Sequence, residues 1–436
     1  MQEQTVSTLD FGEPGLVDRS MSERVRGLVG SEILEIASEI RRMTAAGRQV
    51  CNLTVGDFNP EYFPIPDALL EGVLRALREG ETNYPPSNGM RALREAVAEY
   101  VAREWGARYP LESVLITSGA RPILYAVYRS VIDPGDAVVY SVPSWNNNHY
   151  CWASGAKGIA LTTAAGDDFM PTLAQLGPHL ATARMIVVNS PLNPTGTVIR
   201  EAPLRAILEA VCEENRRRAR AGLRGLFLLH DQVYASLVFG DARHHMPAAL
   251  LPEAAPWVIS LDGISKSLAA TGLRVGWVLA APQFVSRLNN LIGHIGAWAP
   301  RAEQVATARM LLDAPAMAEF RRVMNGRVQE RLEAIHRGVL ELRQLGFPVD
   351  CIKPQGAIYL SLRLDLVGRS LDGVELRSNG AIRRALLERA GLAVVPFQAF
   401  GLEEESGWFR LSVGAVSLHE IGAALPRLRQ LLESVR

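Results

Sequence analysis

The chain of 436 residues reads as an α/β protein: a large domain built on a mostly parallel sheet with helices on both faces, and a smaller α+β domain. Three observations predict this. Short apolar runs recur through the middle of the chain with helical stretches between them, and the polar, chemistry-bearing residues fall where those runs end. Beyond about Met317 the pattern changes to long charged helices with closely spaced strands. Short apolar runs separated by helices indicate β/α units and strands covered on both faces. In such sheets ligands bind beyond the carboxyl ends of the strands.

Residues 1–30 are polar, carry Gly12, Pro14, Gly15, Gly27 and Gly30, and keep no sustained period, which predicts an extended arm ordered by contacts elsewhere. From Ser31, placed to cap a helix, Ile33, Leu34, Ile36, Ala37 and Ile40 recur at helical spacing to about Ala46. The apolar runs Val114–Ile116, Ala137–Tyr140, Met185–Val188, Leu226–Leu229, Trp257–Ser260 and Gly276–Ala280 are the predicted strands of the large sheet. Strands at Phe347–Ile352, Ala357–Leu362, Ala393–Val395 and Phe409–Val413, with a helix near Ala381–Ala390, make up the smaller domain. The expected division is an arm over 1–30, an amino-terminal part of the small domain over 31–66, the large domain over 67–316 and the remaining small domain over 317–436.

Composition narrows the function. Lys plus Arg equals Asp plus Glu at 46 each, so no overall field favours a polyanion and no nucleic-acid partner is expected. Arg216, Arg217, Arg218 and Arg220 read as the solvated face and end of a helix. Cys51, Cys151, Cys212 and Cys351 are far apart and form no C-x-x-C pair, which predicts neither a metal site nor a disulfide framework and fits a reduced compartment. The amino terminus lacks a basic start followed by an apolar run, and no apolar stretch reaches about 18 residues, so the expectation is a cytoplasmic protein without a membrane span. The basic residues are nearly all arginine. Chemistry that needs a side-chain primary amine has three candidates: Lys157, Lys266 and Lys353.

Lys266 stands in Asp262-Gly263-Ile264-Ser265-Lys266-Ser267, after an apolar strand, and Arg274 follows in Thr271-Gly272-Leu273-Arg274-Val275-Gly276. An amine on a strand-end loop can attack a carbonyl, and an arginine fork nearby suits a phosphate dianion; together they suggest an aldehyde cofactor bearing phosphate. Taken alone, Lys266 could equally be a surface lysine. Asp231, in Asp231-Gln232-Val233-Tyr234, meets the same crevice and can keep a pyridinium nitrogen protonated, or simply cap a turn. Asn193, in Asn189-Ser190-Pro191-Leu192-Asn193-Pro194-Thr195-Gly196, is presented on an irregular backbone fixed by two prolines and a glycine. Ser118-Gly119-Ala120 joins a strand to a helix, a turn suited to an anion, and Trp145 could stack on a flat ring or belong to the core.

In their order and spacing these motifs resemble the fold-type I pyridoxal-phosphate enzymes, specifically the class I/II aminotransferases of the aspartate aminotransferase family, from about Ser31 onward. The likeness rests on Gly56, Tyr84, Ser118-Gly119-Ala120, Trp145, Asn193-Pro194-Thr195-Gly196, Asp231, Tyr234, Lys266, Arg274 and Arg410. It implies that Lys266 forms the Schiff base with pyridoxal 5'-phosphate and serves as acid and base, that Asp231 pairs with the ring nitrogen, and that Asn193 and Tyr234 bind the ring oxygen. It implies further that Trp145 stacks on the ring, that Ser118, Gly119, Ala120 and Arg274 hold the phosphate, and that Arg410, with Asn193 and the Gly56 backbone, clamps the substrate carboxylate. Tyr84 would reach the phosphate of a partner subunit, in a homodimer with shared sites.

Two positions depart from the family pattern. Many relatives carry Ser or Thr in place of Gly263, so Ser265 or Ser267 would have to supply that hydroxyl, or the contact is missing. Arg121 replaces an uncharged residue and would meet either the phosphate or an acidic group on the substrate; the sequence leaves both open. Phe58, Asn59, Asn147, Asn148 and Trp298 flank the expected side-chain pocket. The expected reaction moves the amino group of an L-amino acid to a 2-oxo acid. The alternative is a lyase or a β- or γ-replacement enzyme acting on a substrate such as the sulfonium S-adenosylmethionine. A transcriptional regulator built on this fold would need a DNA-binding unit, for which the segment before Ser31 is too short.

Overall fold

The computed structural model describes residues 8–30 and 32–436; the predicted cap Ser31 and the side chains of Ile33 and Leu34 lie outside the described residues. The large sheet has seven strands: β1 (Val114–Thr117), β2 (Ala137–Val142), β3 (Lys157–Thr162), β4 (Ala183–Asn189), β5 (Phe227–Asp231), β6 (Val258–Gly263) and β7 (Gly276–Leu279), in the order β1-β7-β6-β5-β4-β2-β3. Neighbours pair in parallel except at β7, which runs antiparallel to both β1 and β6. All of β1 and β6 is buried and most of β2, β4 and β5 as well, as the unbroken apolar runs require.

The strand missing from the sequence reading is β3. It lies on the edge, where only Ile159 and Leu161 turn towards the core and the other residues face outward. Its apolar stretch, Ile159-Ala160-Leu161, is short and flanked by the solvated Lys157, Gly158 and Thr162, and the sequence reading assigns no strand to it.

The smaller sheet contains β8 (Val349–Cys351), β9 (Tyr359–Leu364), β10 (Val395–Pro396) and β11 (Trp408–Ser412) in the antiparallel order β10-β11-β9-β8. The 31-residue helix Ala314–Gln344 and the helices Asn379–Ala390 and Leu418–Glu433 pack against it. The single run expected over Ala393–Val395 is broken: Leu392–Ala393 pairs with Cys51–Asn52, and β10 begins two residues later. That pairing ties the segment after the helix Glu32–Ala45 to the small domain, and in that helix Ile36 and Ile40 are buried as its spacing predicts.

Two expectations need correction. Among the described residues the arm is not extended, since it forms the short helices Pro14–Ser20 and Glu23–Arg26. It does make contacts elsewhere: Arg24 Nη1 donates to the Trp152 carbonyl at 2.6 Å, and the Trp152 indole donates back to the Arg24 carbonyl at 2.8 Å. Arg218 is not part of a solvated face. It is buried, pairs with Glu214 and donates to the carbonyls of Leu180, Ala183 and Arg224, because an arginine can enter a core when its fork is fully satisfied. Arg216, Arg217 and Arg220 stay exposed. No helix among the described residues is long and apolar enough to cross a membrane.

Candidate active site

The carboxyl ends of β1, β2, β4, β5 and β6 open on one edge, and each delivers a residue singled out in the sequence. Lys266 sits in the helical turn Ile264–Ser267 directly after β6. Its Nζ donates to the Gly56 carbonyl at 2.6 Å, with the rings of Phe58 and Tyr234 at 5.7 and 5.8 Å. Burial lowers its pKa to about 8; Asp57 opposes the shift, while Arg121, Arg410 and Arg274 deepen it. An amine in this state is part neutral near physiological pH, as a nucleophile must be.

Asp231 ends β5 and accepts from the Val233 amide at 3.3 Å. Among the described residues it has no ion pair, and burial raises its pKa from 3.8 to about 6. A carboxylate held largely out of water is costly unless a cation arrives to pair with it. A pyridinium nitrogen is such a cation, so the pair fits the cofactor implied by the sequence.

Arg274 reaches the same edge because β7 is reversed, which puts the start of that strand beside the end of β1. Its Nη2 donates to the Ser118 carbonyl at 3.1 Å, and a Cβ built on Gly119, where φ is +85°, would collide with the guanidinium. Only glycine allows this approach. The Ser118 and Gly119 amides are spent on the Ala297 and Thr117 carbonyls at 2.9 and 2.7 Å. The anion-facing groups of the turn are then the Ser118 hydroxyl, Arg274 and the first amides of the helix Ala120–Val131. Gly263 bears on the missing hydroxyl, since a Cβ there would lie 2.7 Å from the Val275 carbonyl oxygen across the β6–β7 pair. Ser267 donates to the Gly263 carbonyl at 3.0 Å, which leaves Ser265 as the hydroxyl open to the phosphate.

Arg410 lies in the middle of β11, fully buried between the rings of Tyr359 and Phe400, each 4.9 Å from its Cζ. Nη1 donates to Asn193 Oδ1 at 3.2 Å and Nη2 to the Thr54 carbonyl, while Nε has no partner among the described residues. The Asn193 amide nitrogen is thereby turned to donate elsewhere. Arg121 stands over the Trp145 ring at 5.3 Å, and Trp145 packs against Phe400 with centroids 6.3 Å apart.

Gly56, Asn193, Asp231, Tyr234, Lys266 and Arg410 are thus brought together, with Ser118, Gly119, Ala120 and Arg274 as a second group at the helix start. Tyr84 is not among them: it is 81% exposed, edge-on to Trp298 at 5.3 Å. Of the pocket residues, Asn147 is spent on Tyr128 and Ser144, and Asn59 accepts from the Glu61 amide within its own turn. The sequence reading passed over Asp57 and Tyr359. Asp57 follows Gly56 directly, and Tyr359 falls inside the predicted strand Ala357–Leu362 with no role assigned to it.

A family model for class I and II aminotransferases matches residues 48–428. The chain is 28% identical to a probable aspartate/prephenate aminotransferase of Aquifex aeolicus, over 96% of this chain and all of that one. It is 28% identical to an aspartate aminotransferase of Geobacillus stearothermophilus, over 95% and 99%. The crystal structure of the aspartate aminotransferase from Rhizobium meliloti superposes with a TM-score of 0.85 at 26% identity, covering 95% of this chain and 99% of that one. With a half-buried lysine, a carboxylate and arginine forks gathered at one sheet edge and the family pattern spanning nearly the whole sequence, the chain belongs to the class I and II aminotransferases, pyridoxal-phosphate-dependent transferases of fold type I.

Proposed function

We propose that the chain moves the amino group of a dicarboxylic L-amino acid to a 2-oxo acid, with Lys266 as covalent anchor of the cofactor and as proton carrier. The observation that carries this reading is the convergence of Lys266, Asp231, Arg274, Arg410 and Arg121 on one edge. When bound, pyridoxal phosphate supplies an aldehyde that condenses with amines and a ring that withdraws electrons from the substrate Cα.

In this reading Asp231 faces the ring nitrogen, the Asn193 amide and the Tyr234 hydroxyl face the ring oxygen, and Trp145 lies against the ring. The Ser118 hydroxyl, the Ala120 amide, Ser265 and Arg274 hold the phosphate, and Gly119 gives Arg274 the room to approach. Arg410 grips the α-carboxylate with both guanidinium arms; the rings on its two faces exclude water and stiffen the fork. Lys266 Nζ, part neutral at physiological pH, takes the proton from Cα. Arg121 meets the distal carboxylate, for which its position over Trp145 and its field at Lys266 are the support. The names of the relatives point the same way. Those compared are aminotransferases, and none carries the name of a lyase.

Tyr84 of the partner subunit completes the phosphate site in a homodimer. Its exposure, with exposed Leu70, Leu74 and Leu77 on the neighbouring helix Asp67–Arg78, supports a covered face. The arm, the 31–66 segment, the 67–316 domain and the 317–436 domain are the working units of this reading, and four unpaired cysteines fit a cytoplasmic setting. The test is the absorption of the protein with pyridoxal phosphate, for wild type and Lys266→Ala. A visible-edge band in wild type that disappears with aspartate or glutamate, with stoichiometric 2-oxo acid and pyridoxamine phosphate, is the expected result. Oxo acid without pyridoxamine phosphate would replace transfer by elimination. Arg121→Gln is expected to lose activity on dicarboxylic donors and keep it on alanine.

A further inference from the structure

Tyr359 opens β9 with 1% of its surface exposed, yet it touches three separate parts of the site. Its hydroxyl lies 2.6 Å from the Tyr234 hydroxyl, with the two rings edge to face at 5.5 Å. The face of its ring carries the Arg410 guanidinium at 4.9 Å. The same hydroxyl lies 3.0 Å from where a Cβ on Gly56 would stand, and the Gly56 carbonyl accepts from Lys266. A phenylalanine would fill this core position equally well, so packing alone does not account for the hydroxyl.

Burial raises the pKa of both phenols; at Tyr359 the Arg410 guanidinium over its ring is the largest opposing influence, whereas at Tyr234 the neighbouring Tyr359 adds to the rise. A Tyr359 hydroxyl that donates to Tyr234 leaves the Tyr234 proton free for the cleft.

We propose that Tyr359 is a positioning residue with two separable parts: its hydroxyl aims the Tyr234 proton at the cofactor's ring oxygen, and its ring seats the Arg410 fork that receives the substrate carboxylate. The inference rests on the assignment of Tyr234 and Arg410 given above. Donation to the ring oxygen favours the form of the bound cofactor in which the nitrogen joined to Lys266 has lost its proton. Weaker donation therefore raises the pH midpoint of the cofactor's absorption change.

The experiment is a pH titration of that absorption in wild type, Tyr359→Phe, Tyr234→Phe and the double variant, without substrate, followed by titration with maleate as a non-reacting dicarboxylate. Tyr359→Phe is expected to raise the midpoint by about half a unit, in the same direction as Tyr234→Phe, and to add nothing in the double variant. Its maleate affinity stays within about twofold, whereas Tyr359→Leu, which loses the ring, weakens maleate about tenfold. An unchanged midpoint in Tyr359→Phe, or additive shifts, overturns the role of the hydroxyl; equal maleate affinity in the Phe and Leu variants overturns that of the ring. If Tyr359→Leu does not fold, Tyr359→Met replaces it. A wild type without a Lys266-dependent band would instead refute the cofactor assignment beneath the proposal.

Discussion

Replacing Asp231 by Asn should stabilise the cofactor-free protein while weakening the holoenzyme. Among the described residues the carboxylate, held largely out of water, has no cationic partner, and its pKa is pushed up from 3.8 to about 6. A shift of about two pH units, at roughly 1.4 kcal/mol each, means that the ionised group costs the empty site on the order of 3 kcal/mol above pH 6. The sign follows from proton binding. A raised acid pKa makes the folded state bind its proton before the unfolded chain does, so the cost is fully present above about pH 6, shrinks between 6 and 3.8, and is gone below. The neutral amide of Asn removes the cost at every pH. Thermal unfolding of apo wild type and apo Asp231→Asn between pH 4.5 and 8 should therefore show the variant several degrees higher at pH 7.5, with the gap narrowing as the pH falls. With pyridoxal phosphate the order reverses, because only the carboxylate gains an ionic partner. An apo variant no more stable than wild type at pH 7.5, or a gap independent of pH, would refute the reasoning.

Three further substitutions test other parts of the site and its frame. Gly119→Ala puts a methyl group into the Arg274 guanidinium at a positive φ, so cofactor affinity measured by absorbance titration should fall about ten- to a hundredfold. Arg410→Lys keeps the charge but loses the fork; kcat/KM for amino acid and oxo acid alike should fall about a hundredfold, roughly 3 kcal/mol, with the cofactor spectrum unchanged. Arg218→Met leaves three carbonyls in the core without their donor and Glu214 with Arg217 alone, and urea unfolding should show a loss of about 3 kcal/mol while the cofactor still binds.

The parts of this protein legible in the sequence share one physical cause. A strand covered on both faces must be apolar along its whole length, so six strands of the large sheet declare themselves, and the five parallel ones end on loops where polar residues are free to do chemistry. Lys266, Asp231 and Asn193 were singled out by that rule and Arg274 by its closeness to Lys266 in sequence, with the family resemblance adding Gly56 and Arg410. The edge strand β3 escaped because one face is solvated. Arg218 escaped because a satisfied buried arginine has the same letter as a solvated one. Tyr359 was hidden by the opposite effect: on a small antiparallel sheet an aromatic in an apolar run reads as core, and only the cross-strand position of Arg410 shows that the ring and hydroxyl serve the cleft. The arm meets Trp152, far away in sequence, and no local pattern announces its helices.

The reversed strand β7 has a consequence for how the cofactor leaves. Because β6 and β7 are adjacent and antiparallel, Lys266 and Arg274 are carried at the tip of one hairpin, and the grips on the two ends of the cofactor belong to a single opening unit. Release at the Lys266 end still requires water to cleave the bond to the lysine, so opening of the hairpin would expose that bond and loosen the Arg274 grip in one event. Hydrogen exchange of the β6 and β7 amides next to the tip should then slow together when the cofactor binds.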